Sequence, residues 1–209
     1  KNVEAGRSYV CGWDPSLGTG GDMAAIQVYE LPTMIQVAEW QHNKTDIRGQ
    51  LRILVGITTY LVDEVRKLGK QDVYWSVENN TLGEAALVAI TEYGEDRIPG
   101  LFISEPGNKR RGFTTTHKSK LPACATLKHW IESDKLTIKS KNLVREVKNF
   151  VAKGNSFAAK EGETDDLVMA MLLAVRMVQS LQSFDAALDE HVKDMAEYID
   201  PLPFIMTVG

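Results

Sequence analysis

Four carboxylates stand where they could act together. Asp14 follows the short strand pattern Ser8 to Trp13 (SYVCGW), Glu78 follows the hydrophobic run Asp72 to Val77 (DVYWSV), and Asp165 with Asp166 opens an apolar stretch that continues to Leu181. In an open sheet, strand ends and the N-termini of neighbouring helices meet at one edge, which is where such folds place their ligands. Carboxylates gathered there repel one another unless divalent cations or protons neutralise them. Oxygen donors with no Cys or His among them suit hard ions, Mg²⁺ or Mn²⁺. Two such ions about 4 Å apart clamp a phosphodiester, one activating the attacking water and the other stabilising the leaving oxygen. Each acid also has a plainer role: Asp14 as a turn former before Pro15, Glu78 as a cap of the helix expected from Thr81, and Asp165 or Asp166 as the N-cap of the last helix. Against these roles, Glu78 continues its strand without a turn residue, and two aspartates stand where one would cap. Asp165 is the better cap and Asp166 the better ligand; both remain candidates.

A second kind of chemistry lies between Pro106 and Lys153. Twelve basic residues against three acidic ones give that segment a charge of +9 in a chain of net charge -4, so the remainder carries -13. A basic segment with acidic flanks can hold a polyanion locally, although a solvated lysine-rich surface has the same composition. Lys109, Arg110, Arg111, Lys118 and Lys120 cluster within it, around the polar loop Glu105 to Thr116. Metal-binding acids and backbone-holding bases together describe a nuclease.

The elements that must position these groups are legible. Ser8–Trp13, Met23–Leu31 and Met34–Trp40 read as three strands joined by short turns, the first stopped by Pro15 and followed by the glycine-rich GTGGD. Residues 46–68 repeat apolar positions at helical spacing, with Asp46 as N-cap and Gly69 as C-cap. A buried strand Asp72–Val77 leads through Glu78-Asn79-Asn80 into a helix from Thr81 to Tyr93, and Leu101–Ser104 is a short strand. Helices are expected over His117–Ser133, with Pro122 in the first turn or at a kink, and over Asn142–Val151 with Asn142 as cap. Leu136–Lys139 reads as a strand, and Thr164–Leu181 as a long apolar helix. The order predicts an α/β fold over residues 1–182, with 183–209 as an acidic appendage.

Composition sets bounds. At 209 residues, 44% hydrophobic and 25% charged, the chain can bury a real core. Only Cys11 and Cys124 are present, with no CxxC, so a cysteine-built metal site and a disulfide framework are excluded. No apolar run approaches the ~18 residues of a membrane helix, and the polar start at Lys1 reads as part of a longer protein rather than a signal peptide.

The ordered motifs GWDPS, GTGGD, VENN, GFTTTHKSK and ETDDLVMAMLLA resemble the C-terminal nuclease domain of the large terminase subunit of tailed bacteriophages, particularly the myovirus type, over about residues 8–181. The resemblance implies a ribonuclease H-like mixed central sheet flanked by helices. It further implies an acidic cluster that uses Mg²⁺ or Mn²⁺ to cut concatemeric viral double-stranded DNA in the host cell cytoplasm during virion assembly. Asp14, Glu78 and one of Asp165 and Asp166 would then be the catalytic metal ligands, and Lys109, Arg110, Arg111, Lys118 and Lys120 would hold the DNA backbone. Asp22 would be an outer partner or simply a turn residue, and Asn79 and Asn80 would orient ligands or cap a helix. The implied partners are an N-terminal ATPase domain, the small terminase subunit and the portal ring. No GxxxxGK[ST] loop occurs here, so translocation would belong to that other domain. Three other readings compete: a junction-resolving or transposase-type nuclease of the same fold, a catalytically silent DNA-clamping module of a packaging motor, and a metabolic α/β enzyme binding a nucleotide at GTGGD. In the last, a helix should follow the glycines, and here a strand does.

Overall fold

The computed structural model describes residues 7–68, 72–80, 82–154 and 156–182; the expected appendage and the expected Gly69 cap lie outside them. Strands β1 (Ser8–Asp14), β2 (Ala24–Leu31) and β3 (Ile35–His42) form an antiparallel meander. β4 (Val73–Val77) then lies parallel to β1, and β5 (Leu101–Phe102) parallel to β4, giving a mixed sheet of order β3-β2-β1-β4-β5. β1 ends at Asp14 because Pro15 has no N–H for the ladder.

Alternation along the strands divides the core. Tyr9, Cys11 and Trp13 of β1 and Val73, Trp75 and Val77 of β4 bury one face against α1 (Ile47–Leu68) and α2 (Gly83–Tyr93). α1 meets the sheet through Leu51, Leu54, Leu61 and Val65, and its first turn is capped by the Asp46 carboxylate, which accepts the Gly49 amide at 2.9 Å. The other face, with Val10 and Tyr74, packs on α5 (Asp166–Gln182). Beyond α5 lie α3 (His117–Glu132), α4 (Lys141–Asn149) and a hairpin of β6 (Phe150–Lys153) and β7 (Ser156–Ala159). α5 is buried from Leu167 to Val178 except at Met169, which explains why its sequence is apolar all round. Among the described residues no helix is long and apolar enough to cross a membrane.

Three expectations are corrected. Leu136–Lys139 is no strand: Thr137 makes one parallel bridge to Ile35, and the Gln36 side chain then takes the Lys139 and Ser140 amides, turning the chain into α4. The α4 cap is Ser140, whose hydroxyl accepts the Leu143 amide at 3.1 Å, and not Asn142. α4 stops at Asn149, since Phe150 and Val151 pair across the hairpin with Ala159 and Ala158. Of the two placements expected for Pro122, the first turn is the one it does not take: it lies further into α3, where it cannot donate to the Lys118 carbonyl.

Candidate metal centre

Parallel register brings the first two acids together. Trp13 of β1 lies opposite Val77 of β4, and the Glu78 amide donates to the Trp13 carbonyl at 2.9 Å, so Asp14 and Glu78 stand side by side at one sheet edge. Both follow residues that face α1, so both point to the α5 side. There α5 begins, and its two aspartates complete the group: Asp166 and Asp165 each act electrostatically on Asp14, Asp166 the more strongly. All four predicted acids therefore converge.

The environment penalises their charge. Asp14 and Glu78 are only 8% and 4% exposed. The Asp14 carboxyl is held well above its usual range, first by burial, then by Glu78, which both repels its charge and hydrogen-bonds to it, and then by Asp166 and Asp165. A hydrogen bond between two carboxyl groups requires a proton in place of a cation. Asp166 is pushed up to about 7 by burial and by the charges of Glu146, Asp165 and, more weakly, Asp22. Among the described residues no Lys, Arg or His forms an ion pair with any of the four.

An all-oxygen donor set with no counter-charge suits a hard divalent cation. Side-chain placement is less complete: among the described residues no three acidic, His or Cys side chains already surround a common point at metal-binding distance. Folded values raised above the unfolded ones mean stability that is present below about pH 4 and lost as pH rises through the folded range. The metal-free protein is therefore expected to melt at progressively lower temperature from pH 5 to pH 8 in EDTA, and Mn²⁺ to restore more at pH 8 than at pH 5. Thermal melts at the two pH values check this.

Asp165 and Asp166 differ in their surroundings. One Asp165 oxygen accepts the Ala159 amide of β7 at 3.3 Å, whereas the Asp166 side chain has no hydrogen-bond donor from another residue among those described. Asp165 supplies the backbone start of α5, its carbonyl accepting the Met169 amide at 2.8 Å. Its side chain does not cap the helix: the Leu167 and Val168 amides donate instead to Glu146 of α4, at 2.8 and 3.2 Å.

Other supporting side chains were not visible in the sequence pattern. The fully buried Gln50 of α1 accepts from the Trp13 indole and the Ser16 amide, both at 3.3 Å, and donates to the Ser16 carbonyl at 2.7 Å, fixing the turn after Asp14. Gly18 in GTGGD has φ +71°, and a Cβ there would meet the Thr45 carbonyl at 2.2 Å, so this glycine permits a close turn onto the start of α1. Asn80 accepts the Leu82 and Gly83 amides in the turn that leads into α2, while Asn79 donates to the Arg111 carbonyl.

The basic residues divide. The loop leaves the β4 edge at Ile103 and returns at Phe113, which bridges Glu78. Arg176 on α5, 7% exposed, ties it down with hydrogen bonds to Glu105 Oε1 at 2.6 Å and to the Thr114 carbonyl and Thr115 hydroxyl at 3.2 Å. Arg111 pairs with Glu95 and lies over the Phe102 ring, Arg110 reaches Glu84 at 4.0 Å, and Lys120 sits over Phe150. Lys109 and Lys118 are exposed and form no ion pair among the described residues.

Comparison with known proteins gives a consistent result. A family model described as a terminase RNaseH-like domain matches residues 11–178. Among solved structures, the large terminase nuclease from thermophilic phage G20c with bound magnesium aligns with a TM-score of 0.63 at 16% identity, covering 84% of each chain. The nuclease domain of a Thermus phage large terminase aligns at 0.57 and 16% identity, over 83% of this chain and 81% of that one. The human cytomegalovirus terminase nuclease domain, soaked with manganese, aligns at 0.51 and 12% identity, over 85% of each.

Proposed function

This chain belongs to the terminase RNaseH-like domain family, and from that premise we propose that it is a metal-dependent endonuclease. It cleaves concatemeric viral double-stranded DNA during headful packaging, with little sequence specificity. The observation that carries the reading is the convergence of Asp14, Glu78, Asp166 and Asp165 at one sheet edge with no cation among the described residues to neutralise them. Asp14, Glu78 and Asp166 would hold the metal, with Asp165 able to share. Mg²⁺ or Mn²⁺ bound there supplies activation of the attacking water and stabilisation of the leaving oxygen. The protein's own part is to hold three carboxylates on rigid elements, to bury them away from bulk water, and to keep the loop 105–116 against α5 through Arg176. The exposed Lys109 and Lys118 suit contact with phosphate rather than with base edges, which fits cutting with little sequence specificity. Control of cutting would come from the ATPase domain, the small terminase subunit and the portal ring, in the host cytoplasm.

Digestion of supercoiled plasmid, linear duplex and a four-way junction with Mg²⁺, Mn²⁺ or EDTA tests the reading. Metal-dependent nicking and cutting of plain duplex is expected. A strong preference for the junction points to a resolving enzyme of the same fold, and binding without cleavage to a clamping module.

The division among the bases makes its own prediction. Lys109→Ala and Lys118→Ala should each weaken DNA binding about equally across sequences and lower the slope of log affinity against log salt by about 1. Arg110→Ala and Arg111→Ala should change that slope less, because their guanidinium groups already face Glu84 and Glu95. Salt titrations by fluorescence anisotropy, on uncleavable complexes in EDTA, separate the two pairs.

A further inference from the structure

Glu146 is a buried acid that the sequence pattern does not single out. It lies on α4, is 2% exposed, and has no ion-pair partner among the described residues. Its carboxylate faces four donors. Oε1 accepts from the Gln41 side chain at 3.0 Å and the Thr164 hydroxyl at 3.1 Å; Oε2 accepts from the amides of Leu167 and Val168 at 2.8 and 3.2 Å. A carboxylate offers about four acceptor sites, so Glu146 has none left for a metal. It cannot be a further ligand.

Its partners show what it does instead. Leu167 and Val168 are in the first turn of α5, directly after Asp166, and Thr164 directly precedes Asp165. A helix start normally draws its own N-cap side chain back onto these amides. Had Asp165 or Asp166 done so, that carboxylate would be spent on the helix and turned from the site. Glu146 takes over the capping from α4, with Gln41 of β3 fixing its other oxygen. Both aspartates remain available.

We propose that Glu146 is a positioning residue for the metal centre: by capping α5 from outside, it releases and aims the Asp165–Asp166 pair. This inference rests on the metal-centre reading above. It acts through geometry, and a group of this kind supporting metal ligands typically contributes 10- to 100-fold in metal affinity. Glu146→Gln keeps the shape but presents an NH₂ to donors on at least one side. The freed Leu167 and Val168 amides would then draw Asp165 or Asp166 back as a cap.

The test is Mn²⁺ binding to the whole chain by isothermal titration calorimetry and electron paramagnetic resonance, without DNA, on protein shown to be folded by circular dichroism. Val65→Ala serves as the control for lost stability, since Val65 is buried far along α1 on the opposite face of the sheet. Glu146→Gln is expected to weaken Mn²⁺ about tenfold or more, and Val65→Ala to leave it unchanged at a similar loss of melting temperature. Thr164→Val, which removes one donor and leaves the amide cap, should weaken Mn²⁺ in the same direction to a smaller extent; it carries the test if Glu146→Gln does not fold. Wild-type Mn²⁺ affinity in these folded variants would overturn the positioning role and leave Glu146 as a structural cap. Failure of the wild-type chain to bind Mn²⁺ would overturn the metal-centre reading and, with it, this inference.

Discussion

Asp14→Asn is expected to abolish DNA cleavage while making the metal-free protein more stable. The two effects have one cause. Asp14 is buried beside Glu78 and faces Asp166 and Asp165, so its charge is unfavourable until a cation arrives. A metal clamp on the reacting phosphate contributes several kcal/mol to the transition state. At about 1.4 kcal/mol per tenfold, losing one of the proposed ligands should lower the rate on the order of 10³-fold or more. Asparagine can still donate a hydrogen bond to Glu78 and precede Pro15 in the turn, but it brings no charge. The gain in melting temperature should therefore be present in EDTA at pH 8, where the unfolded Asp14 is ionised, and vanish near pH 3, below the unfolded value of about 3.9, where both states hold the proton. Added Mn²⁺ should raise the melting temperature of the wild type and scarcely that of the variant. Plasmid digestion and thermal melts at the two pH values measure both halves. A variant that loses stability at pH 8 would make Asp14 a turn former; one that still cuts would remove it from the ligand set.

Why Asp14, Glu78 and the Asp165–Asp166 pair were legible follows from how each is placed. Asp14 and Glu78 each end a hydrophobic run, and Asp165 with Asp166 begins one, so local pattern locates all three at element ends. Their convergence then needs only that β1 and β4 be parallel neighbours and that α5 start at the same edge. What the pattern could not show is which residues hold the acids in place. Glu146 caps a helix 21 residues away in sequence from its amide partner Leu167, and Gln50 reaches back 34 residues to Ser16. Arg176 crosses 71 residues to Glu105. Such long-range partners leave no mark in spacing or composition.

The same limit explains the basic loop. A count of lysines and arginines cannot distinguish Lys109, which is exposed, from Arg111, which is engaged by Glu95 and Phe102. The hairpin β6–β7 is illegible in the sequence for a different reason. Phe150 and Val151 continue the apolar spacing of α4, and only pairing with Ala159 and Ala158 draws them into a strand. Local preference there yields to tertiary pairing.

Gly12→Ala is expected to damage the centre without touching an acid. Gly12 lies two residues before Asp14, on the strand face that meets α5. A Cβ at this position would be 2.7 Å from the Ala170 carbonyl oxygen and 3.2 Å from the Ala174 amide nitrogen, both backbone atoms that no rotamer change can move. One methyl therefore lifts α5 from β1, and overpacking of this kind costs about 1–3 kcal/mol. Ala170 is one helical turn from Asp166, so the lift carries that carboxylate away from Asp14 and Glu78. A displacement near 1 Å from the reacting geometry is worth about 10²-fold in rate. Cleavage should fall by about that factor in protein that remains folded, while DNA affinity, which the proposed reading rests on the exposed Lys109 and Lys118, should stay near wild type. Leu173→Ala offers a discriminating companion. The Leu173 side chain would lie 3.4 Å from the new Cβ, an ordinary contact, so trimming it should not restore activity to Gly12→Ala. Rescue by that second substitution would place the obstruction in side chains. A Gly12→Ala protein with wild-type stability and cleavage would mean that α5 does not seat its aspartates through this close approach.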